Sequence, residues 1–271
     1  GQHRRRVVGG GLGLEPAVRA SGAPEAGAVV DAGAARRREN SATAMSTGDV
    51  QEFTTDQIAA LTVTQLGAFN STKYAALTDA QIAAMTLTQV QSISASNLSA
   101  FDLTQIAALT TAHVGGLSTT QLSGLSTTNL RALDQTQFGQ LSTTQVKALS
   151  VTQIGALEAT DIAAMSNGQL AALATAQAAA WTATNVATLA DTQIAALTTT
   201  QLGRLTNAVV HALDATQLGT LSATQVQSFT TSQIAALDAT DLDEFTTTQV
   251  AALSTAQVRA LTTTVIDAIS S

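Results

Sequence analysis

Residues 245–252 read Phe-Thr-Thr-Thr-Gln-Val-Ala-Ala, and this octapeptide decides the fold because most of the chain repeats its pattern. A large apolar residue returns at every eighth position from Phe53 to Ile269, which makes 27 intervals without an insertion. A period held this strictly is typical of one small structural unit stacked on copies of itself. The sequence therefore predicts a solenoid over residues 53–271.

Each octapeptide carries the two devices that start an α-helix. The residue after the large apolar position is usually an N-cap type, and Gln follows three residues later, as in Thr62 and Gln65. This pair is a capping box, in which each side chain accepts a hydrogen bond from the backbone amide of the other residue. A second apolar residue, here Leu66, follows the Gln and packs against Leu61 as a hydrophobic staple. The pattern predicts a new helix in every repeat.

Two other architectures compete with a solenoid of short helices. One continuous helix is excluded, because eight residues overshoot two turns by about 80° and the apolar stripe would spiral round the rod. A β-solenoid remains the alternative, since Thr, Val and Ile favour strands. However, the two apolar columns are five and three residues apart, and both odd spacings would place them on opposite faces of a strand. We therefore expect an all-α solenoid with one short helix per octapeptide.

Side-chain volume also follows the period. Small residues such as Ala60 and Gly116 precede most of the large apolar residues, which predicts a close approach of adjacent helices at the bend. One repeat departs from the usual volumes, because Ala178 replaces Ile or Val and the next large apolar residue is Trp181, the one Trp of the chain. A small residue beside a large one conserves packed volume, so we expect both in the core.

Residues 1–52 lack the period. They hold both prolines and seven arginines among many Gly and Ala residues, a composition typical of disorder. We therefore expect a disordered leader over residues 1–52 and a repeat domain over residues 53–271. Met45 has the position of a natural start codon, so residues 1–44 are interpreted as an upstream extension. The pattern continues to Ser270 and Ser271, as expected of a fragment of a longer array.

Charge and composition restrict the classes of partner. The array carries 13 acidic residues against five basic ones, a net charge of −8, which disfavours binding to phosphate backbones. No run of about 20 apolar residues predicts a membrane span. The chain contains no cysteine, which excludes disulfides and thiolate metal sites. We expect neither a nucleic-acid partner nor a membrane span.

No constellation of side chains predicts a catalytic, cofactor-binding or metal site. His113 occupies a Gln position and His211 lies in a variable outward column, and both are interpreted as substituted surface residues. Asp241, Asp243 and Glu244 form the densest acidic group, but they lack the Gly-containing loop of a calcium site, so we interpret them as a solvated face. Serines lie mainly at caps without an accompanying base. We expect a non-enzymatic protein without a cofactor.

A second threonine stands two residues after many caps, as at Thr64, Thr120 and Thr200. A regular Thr-x-Thr lattice on a rigid face resembles ice-binding solenoids, so a Thr-rich ligand-binding array is the alternative function. The simpler interpretation is that the first Thr caps the helix and the second is a compact polar residue of the first turn. Aspartate at caps such as Asp102 and Asp134 preserves capping but disrupts a neutral ice-matching face.

Units such as residues 197–203 and 245–252 resemble octapeptide tracts of very large proteobacterial secreted or surface proteins, which are often described as adhesin-like. The resemblance covers residues 53–271 and lies in composition and period. It implies a spacer or stalk of a bacterial surface or secreted protein and brings no catalytic residues. It also implies an extracellular or cell-surface location, although a cytoplasmic one stays open. The expected partners are other proteins or neighbouring repeats joined end to end.

Overall fold

The computed structural model describes residues 42–261, and every regular element in that range is an α-helix. Residues 42–44 are helical, and 27 helices of four to six residues follow them. The predicted all-α solenoid is therefore confirmed, and the β-solenoid alternative is wrong for this range. In chain order, helices α1 to α27 span Thr47–Gln51, Thr55–Ala60, Val63–Gly67, Ser71–Ala75, Asp79–Ala84, Leu87–Ser92, Ala95–Leu98, Leu103–Ala107, Thr111–Gly115, Thr119–Gly124, Thr127–Leu130, Gln135–Gly139, Thr143–Ala148, Val151–Gly155, Ala159–Ala163, Asn167–Ala172, Thr175–Ala178, Ala183–Ala187, Asp191–Ala195, Thr199–Leu202, Asn207–Val210, Ala215–Thr220, Ala223–Gln227, Thr231–Ala235, Ala239–Asp243, Thr247–Ala251 and Thr255–Ala260.

The octapeptide starts and ends each helix through its own side chains and backbone. At α3 the amide of Gln65 donates to Thr62 Oγ1 over 3.2 Å, and the amide of Thr62 donates to Gln65 Oε1 over 2.8 Å. The preceding helix ends at Leu61, whose backbone is extended with φ −64° and ψ 138°. Thr62 is also extended, so two residues redirect the chain before the next helix begins. The predicted capping boxes are confirmed.

The two apolar columns form one continuous core along the stack. Residues that follow the Gln position, such as Ile82 and Leu170, are fully buried. Residues that precede the cap, such as Leu77 and Leu173, are also buried and belong to the same cluster. The period therefore places both apolar residues of each octapeptide inside the solenoid and leaves its polar residues to cap the helices or to face solvent.

Contacts between helices define the superhelical turn, which the octapeptide alone does not reveal. Each helix packs alongside the third helix after it, as α2 does with α5. The N-terminus of each helix meets the fourth helix before it, because Gln81 of α5 donates to the carbonyl of Val50 in α1 over 2.9 Å. One superhelical turn therefore takes between three and four octapeptides.

The repeat geometry begins one unit before Phe53, which corrects the predicted boundary at residue 52. Met45 lies eight residues before Phe53 and packs against the core, while Ser46 caps α1 and Val50 is fully buried. Asp49 forms the capping box with Ser46 in place of Gln, which hid this unit in the sequence. Most of the predicted leader, residues 1–41, lies outside the described residues, as do residues 262–271.

The small residue before each large apolar residue has a different neighbour from the one predicted. A Cβ atom added to Gly116 would lie 2.3 Å from Leu87 Cδ1, and one added to Gly124 would lie 2.9 Å from Ala95 Cβ. Leu87 and Ala95 are each the first helical residue of a repeat in the preceding turn. The close approach therefore occurs between successive turns and not at the bend between adjacent helices.

The predicted exchange of volume between Ala178 and Trp181 lies in the core, as expected. Ala178 is fully buried, and Trp181 is 3% exposed. The ring fills space beside a residue with a small side chain, but its polar atom is not accommodated. Trp181 Nε1 is buried without a hydrogen-bond partner, which makes it an exception to the usual satisfaction of buried donors.

Candidate functional site: the amide ladder

The third residue of most helices is a glutamine that joins two successive turns. Gln89 Nε2 donates to the carbonyls of Ile58 over 2.9 Å and Leu61 over 2.6 Å, while Gln89 Oε1 accepts from the amide of Thr86 over 2.7 Å. One side chain therefore caps its own helix and holds the turn before it. We call these inter-turn side chains the amide ladder and each of them a rung. The glutamine rungs are Gln81, Gln89, Gln105, Gln121, Gln137, Gln145, Gln153, Gln169, Gln177, Gln193, Gln201, Gln217, Gln225, Gln233, Gln249 and Gln257.

Burial explains why glutamine suits this position. Each glutamine rung is less than a tenth exposed, and a buried amide without partners would cost free energy. The amide supplies an acceptor for the cap and a donor for the carbonyls 28 to 31 residues earlier, as Gln201 does for Leu173 and Leu170. A hydrogen bond of this kind contributes about 1 kcal/mol. Sequence analysis recognised the cap half of this arrangement and missed the inter-turn half.

Other donors take the same place in the ladder. Lys73 Nζ donates to the carbonyls of Ala42 over 2.9 Å and Thr43 over 2.7 Å. Asn129 has a shorter side chain, and its Nδ2 donates to the carbonyl of Phe101 over 2.9 Å. These substitutions show that the position requires a hydrogen-bond donor directed at the preceding turn.

His113 is also a rung, which corrects its interpretation as a surface residue. Its ring is 4% exposed, with Nε2 2.8 Å from the carbonyl of Met85 and Nδ1 accepting from the amide of Thr110 over 3.2 Å. Burial lowers the pKa of His113, although the hydrogen bond with Met85 acts in the opposite direction. The imidazole thus takes the roles of both amide atoms of glutamine.

Two rungs are acids and cannot donate as carboxylates. Asp241 Oδ2 accepts from the amide of Asp238 over 2.8 Å and pairs with His211 Nδ1 at 2.7 Å. Asp161 Oδ2 accepts from the amide of Glu158 over 3.0 Å. The side chain 30 residues before each acid is basic: it is His211 for Asp241 and Arg131 for Asp161. Each acidic rung therefore has a basic residue opposite it in the preceding turn.

The two acidic rungs differ in how the base meets the acid. Arg131 forms its ion pair with Glu158, and its positive charge partly offsets the burial that raises the pKa of Asp161. His211 bonds directly to Asp241, and this hydrogen bond raises the pKa of His211. Burial and then the charge of Asp241 raise the pKa of Glu244. The local field is therefore cationic at Arg131 but depends on a proton at His211.

A longer spacing in the sequence could have revealed these pairs. Arg131 and His211 are 80 residues apart, and so are Asp161 and Asp241. Both acids and both bases thus recur after ten octapeptides, while the interval from base to acid stays at 30 residues. This covarying pattern was missed because each residue was assessed alone within its own octapeptide.

The predicted acidic group does not form one solvated face. Asp243 is exposed and Glu244 is partly exposed, but Asp241 is buried beneath them because it occupies a rung. Ligand atoms of His211, Asp238 and Asp241 lie within 4.8 Å of one another and have the donor types of a divalent-cation site. Asp241 Oδ2 already accepts two hydrogen bonds there, so the protein itself offsets its charge. His113 and His211 belong to different rungs and are not brought together.

These features define the class: an all-helical solenoid of tandem octapeptides with an inter-turn amide ladder. The family model of the ALTTAQ repeat matches residues 234–271. The recognition of a repeat tract is therefore confirmed for that part of the chain. No curated protein matches the chain. Among residues 42–261, no helix has the length and apolar character needed to cross a membrane.

Proposed function

We propose that the protein is a non-enzymatic structural or interaction module that serves as a spacer or stalk in a bacterial surface or secreted protein. The observation that supports this role most directly is the ladder, which connects successive turns from Lys73 to Gln257. Its hydrogen bonds join segments about 30 residues apart, so extension of the array must break core contacts and ladder bonds together. This architecture suits a load-bearing connector.

The outward column two residues before each large apolar residue also supports a spacer. It contains Arg131, Lys147, His211, Asp243 and Arg259 among neutral residues, without a chemistry that recurs in register. A dedicated binding groove normally repeats aromatic or charged anchors. We infer that neighbouring repeats or proteins joined to the ends are the partners, outside the cell or at its surface.

Small-angle X-ray scattering and single-molecule stretching of the full chain test the spacer role. We expect a rod-like particle that unfolds under force in several small steps, because each turn depends mainly on its neighbours. Unfolding in one step at a force no higher than that of an unladdered helical domain would contradict the proposal. A variant in which Gln201 is replaced by Ala should lower the first unfolding force, while Thr200→Ala on the exposed surface serves as the control.

Ice binding is the alternative, and the exposure of the second Thr row is the observation that favours it. Thr64, Thr120 and Thr200 are exposed, as are the corresponding Thr88, Thr128, Thr144, Thr224 and Thr248. Thermal hysteresis at micromolar protein that disappears on Thr→Lys changes along this row would support ice binding and overturn the spacer proposal.

A further inference from the structure

His113 is held in the ladder by two hydrogen bonds that require a neutral imidazole. The amide of Thr110 points at Nδ1, so Nδ1 must be the acceptor, and the carbonyl of Met85 faces Nε2, so Nε2 must carry the proton. A second proton would have to bind Nδ1. Two donors would then face each other at Thr110, and the cap of α9 would lose its bond to the side chain.

The surroundings of His113 do not supply a carboxylate that would compensate for this proton. Helix α9 packs against α6 and α12, and neither helix contains a titratable side chain. The cap of α12, Asp134, accepts from the amide of Gln137 over 2.7 Å. Asp79 begins the helix that leads to Met85, and it accepts from Thr104 over 3.2 Å. Both acids are thus bonded to other groups, and neither bonds to His113.

We propose that His113 is an acid-sensitive joint, at which protonation of the imidazole opens the solenoid locally between the turn that ends at Met85 and helix α9. The ring is buried, so the protonated form is accommodated only when the rung leaves the carbonyl of Met85. Repeats remote from the joint stay folded, because each turn of a solenoid contacts only its neighbours. This inference concerns the fold itself and is independent of the spacer role.

The direction of the pH effect follows from the burial of the ring. Burial lowers the pKa of His113 below its ordinary value of 6.5, so the open state binds the proton more readily than the closed state. The stability contributed by the rung is fully present above pH 6.5 and is lost as the pH falls through the lowered pKa. Acid therefore favours the open joint, and the effect is about tenfold in the opening equilibrium for each unit of pKa depression.

Hydrogen exchange of the full chain at pH 7.5 and pH 5.0, corrected for intrinsic exchange rates, tests the joint. We expect peptides covering residues 85–93 and 109–117 to exchange several-fold faster at pH 5.0. Peptides around the glutamine rungs Gln153 and Gln201 should show no corrected change. Uniform exchange at both pH values in the His113 peptides would overturn the proposal, as would acceleration along the whole array.

The variant His113→Gln is the matched control, because glutamine is the usual residue of the ladder and should preserve the fold. It should abolish the local acceleration at pH 5.0, whereas acceleration that persists in this variant would contradict the assignment. A second measurement follows the imidazole of His113 by nuclear magnetic resonance. We expect the Nε2-protonated tautomer at pH 7.5 and titration below pH 6.5. Titration at or above that pH would also overturn the proposal.

Discussion

The glutamine rung at Gln201 and the acidic rung at Asp241 occupy equivalent positions but join their turns by opposite means. Gln201 donates to the carbonyls of Leu170 and Leu173, and the residue 30 positions before it is the neutral Ala171. Asp241 instead accepts from His211, which lies 30 positions before it. The comparison teaches that the fold selects a complementary pair across the turn and not one residue type.

The same comparison separates local from non-local information. A glutamine rung needs only the carbonyls that every preceding turn presents, so it works in any repeat. An acidic rung needs a particular side chain in the preceding turn, so Asp161 and Asp241 occur where Arg131 and His211 stand opposite them. Acidic rungs therefore mark particular places in an array that is otherwise uniform.

Replacing Gln201 by Glu should have the largest effect on this comparison, because it creates an acidic rung without its base. The carbonyls of Leu170 and Leu173 lose their donor and face a buried carboxyl group, which should cost about 3 kcal/mol. Urea unfolding combined with hydrogen exchange should show the loss and place it around residues 170–205.

The double variant Gln201→Glu with Ala171→Arg provides the control for that change. It rebuilds the arrangement of Arg131 with Asp161 and should recover part of the lost stability. Loss of stability in the single variant with no recovery in the double variant would show that the opposing base is incidental.

The reverse change, Asp241→Gln, should convert an acidic rung into an amide rung. The carbonyls of Val210 and Leu213 would gain a donor, as Leu170 and Leu173 have at Gln201, and the array should be stabilised by about 1–2 kcal/mol. Thermal unfolding near pH 8 gives the clearest measurement. Equal or lower stability than the parent chain would contradict the equivalence of the two rung types.

Thr198→Ala should affect only the cap half of a rung. The structure contains natural precedents, because Ala190 lacks a hydroxyl but its amide still donates to Gln193 over 2.8 Å. Loss of the Thr198 hydroxyl should therefore cost about 1 kcal/mol and leave the inter-turn bonds of Gln201 intact. A loss as large as that of Gln201→Glu in the same unfolding assay would show that cap and ladder cannot be separated.

The pair of His211 and Asp241 should respond to pH with the sign opposite to His113. The hydrogen bond to Asp241, together with the charges of Asp241 and Asp238, raises the pKa of His211 above 6.5. Its stabilisation is present below pH 6.5 and is lost as the pH rises through the raised pKa.

The effect should be below about 1 kcal/mol, because the His211 side chain is 51% exposed to solvent. Local hydrogen exchange around residues 207–245 between pH 6 and pH 8.5 measures it, with His211→Ala as the control. Stabilisation of this region as the pH rises would contradict the assigned sign.

The smallest change is expected for Trp181→Phe, which removes a donor that has no partner. Trp181 Nε1 is buried and unpaired, in contrast to the donors of the ladder. Relief of this unsatisfied group should offset the volume lost from the ring, so thermal stability should change by less than about 1 kcal/mol. A loss of several kcal/mol would indicate that the ring volume dominates. Adding Ala178→Val to that variant tests whether the two residues share space.

Sequence information was sufficient for the features that lie within one octapeptide. The caps, the helix starts and both apolar columns follow from residues at most five positions apart, as with Leu61, Thr62 and Leu66. The features that were missed span a superhelical turn, such as the contact of Leu87 with Gly116 and the pairing of His211 with Asp241. The octapeptide does not state how many repeats make a turn, so these partners could not be assigned from the period alone.

The fractional number of repeats per turn couples the length of the array to the direction in which its far end points. Each helix lies beside the third helix after it and meets the fourth through a rung, so one added octapeptide rotates everything beyond it by about 90–120°. Insertion or loss of repeats therefore changes the azimuth of an attached domain as well as its distance. Two attachments spaced by unequal repeat numbers would face different sides of the rod, even where every octapeptide is identical.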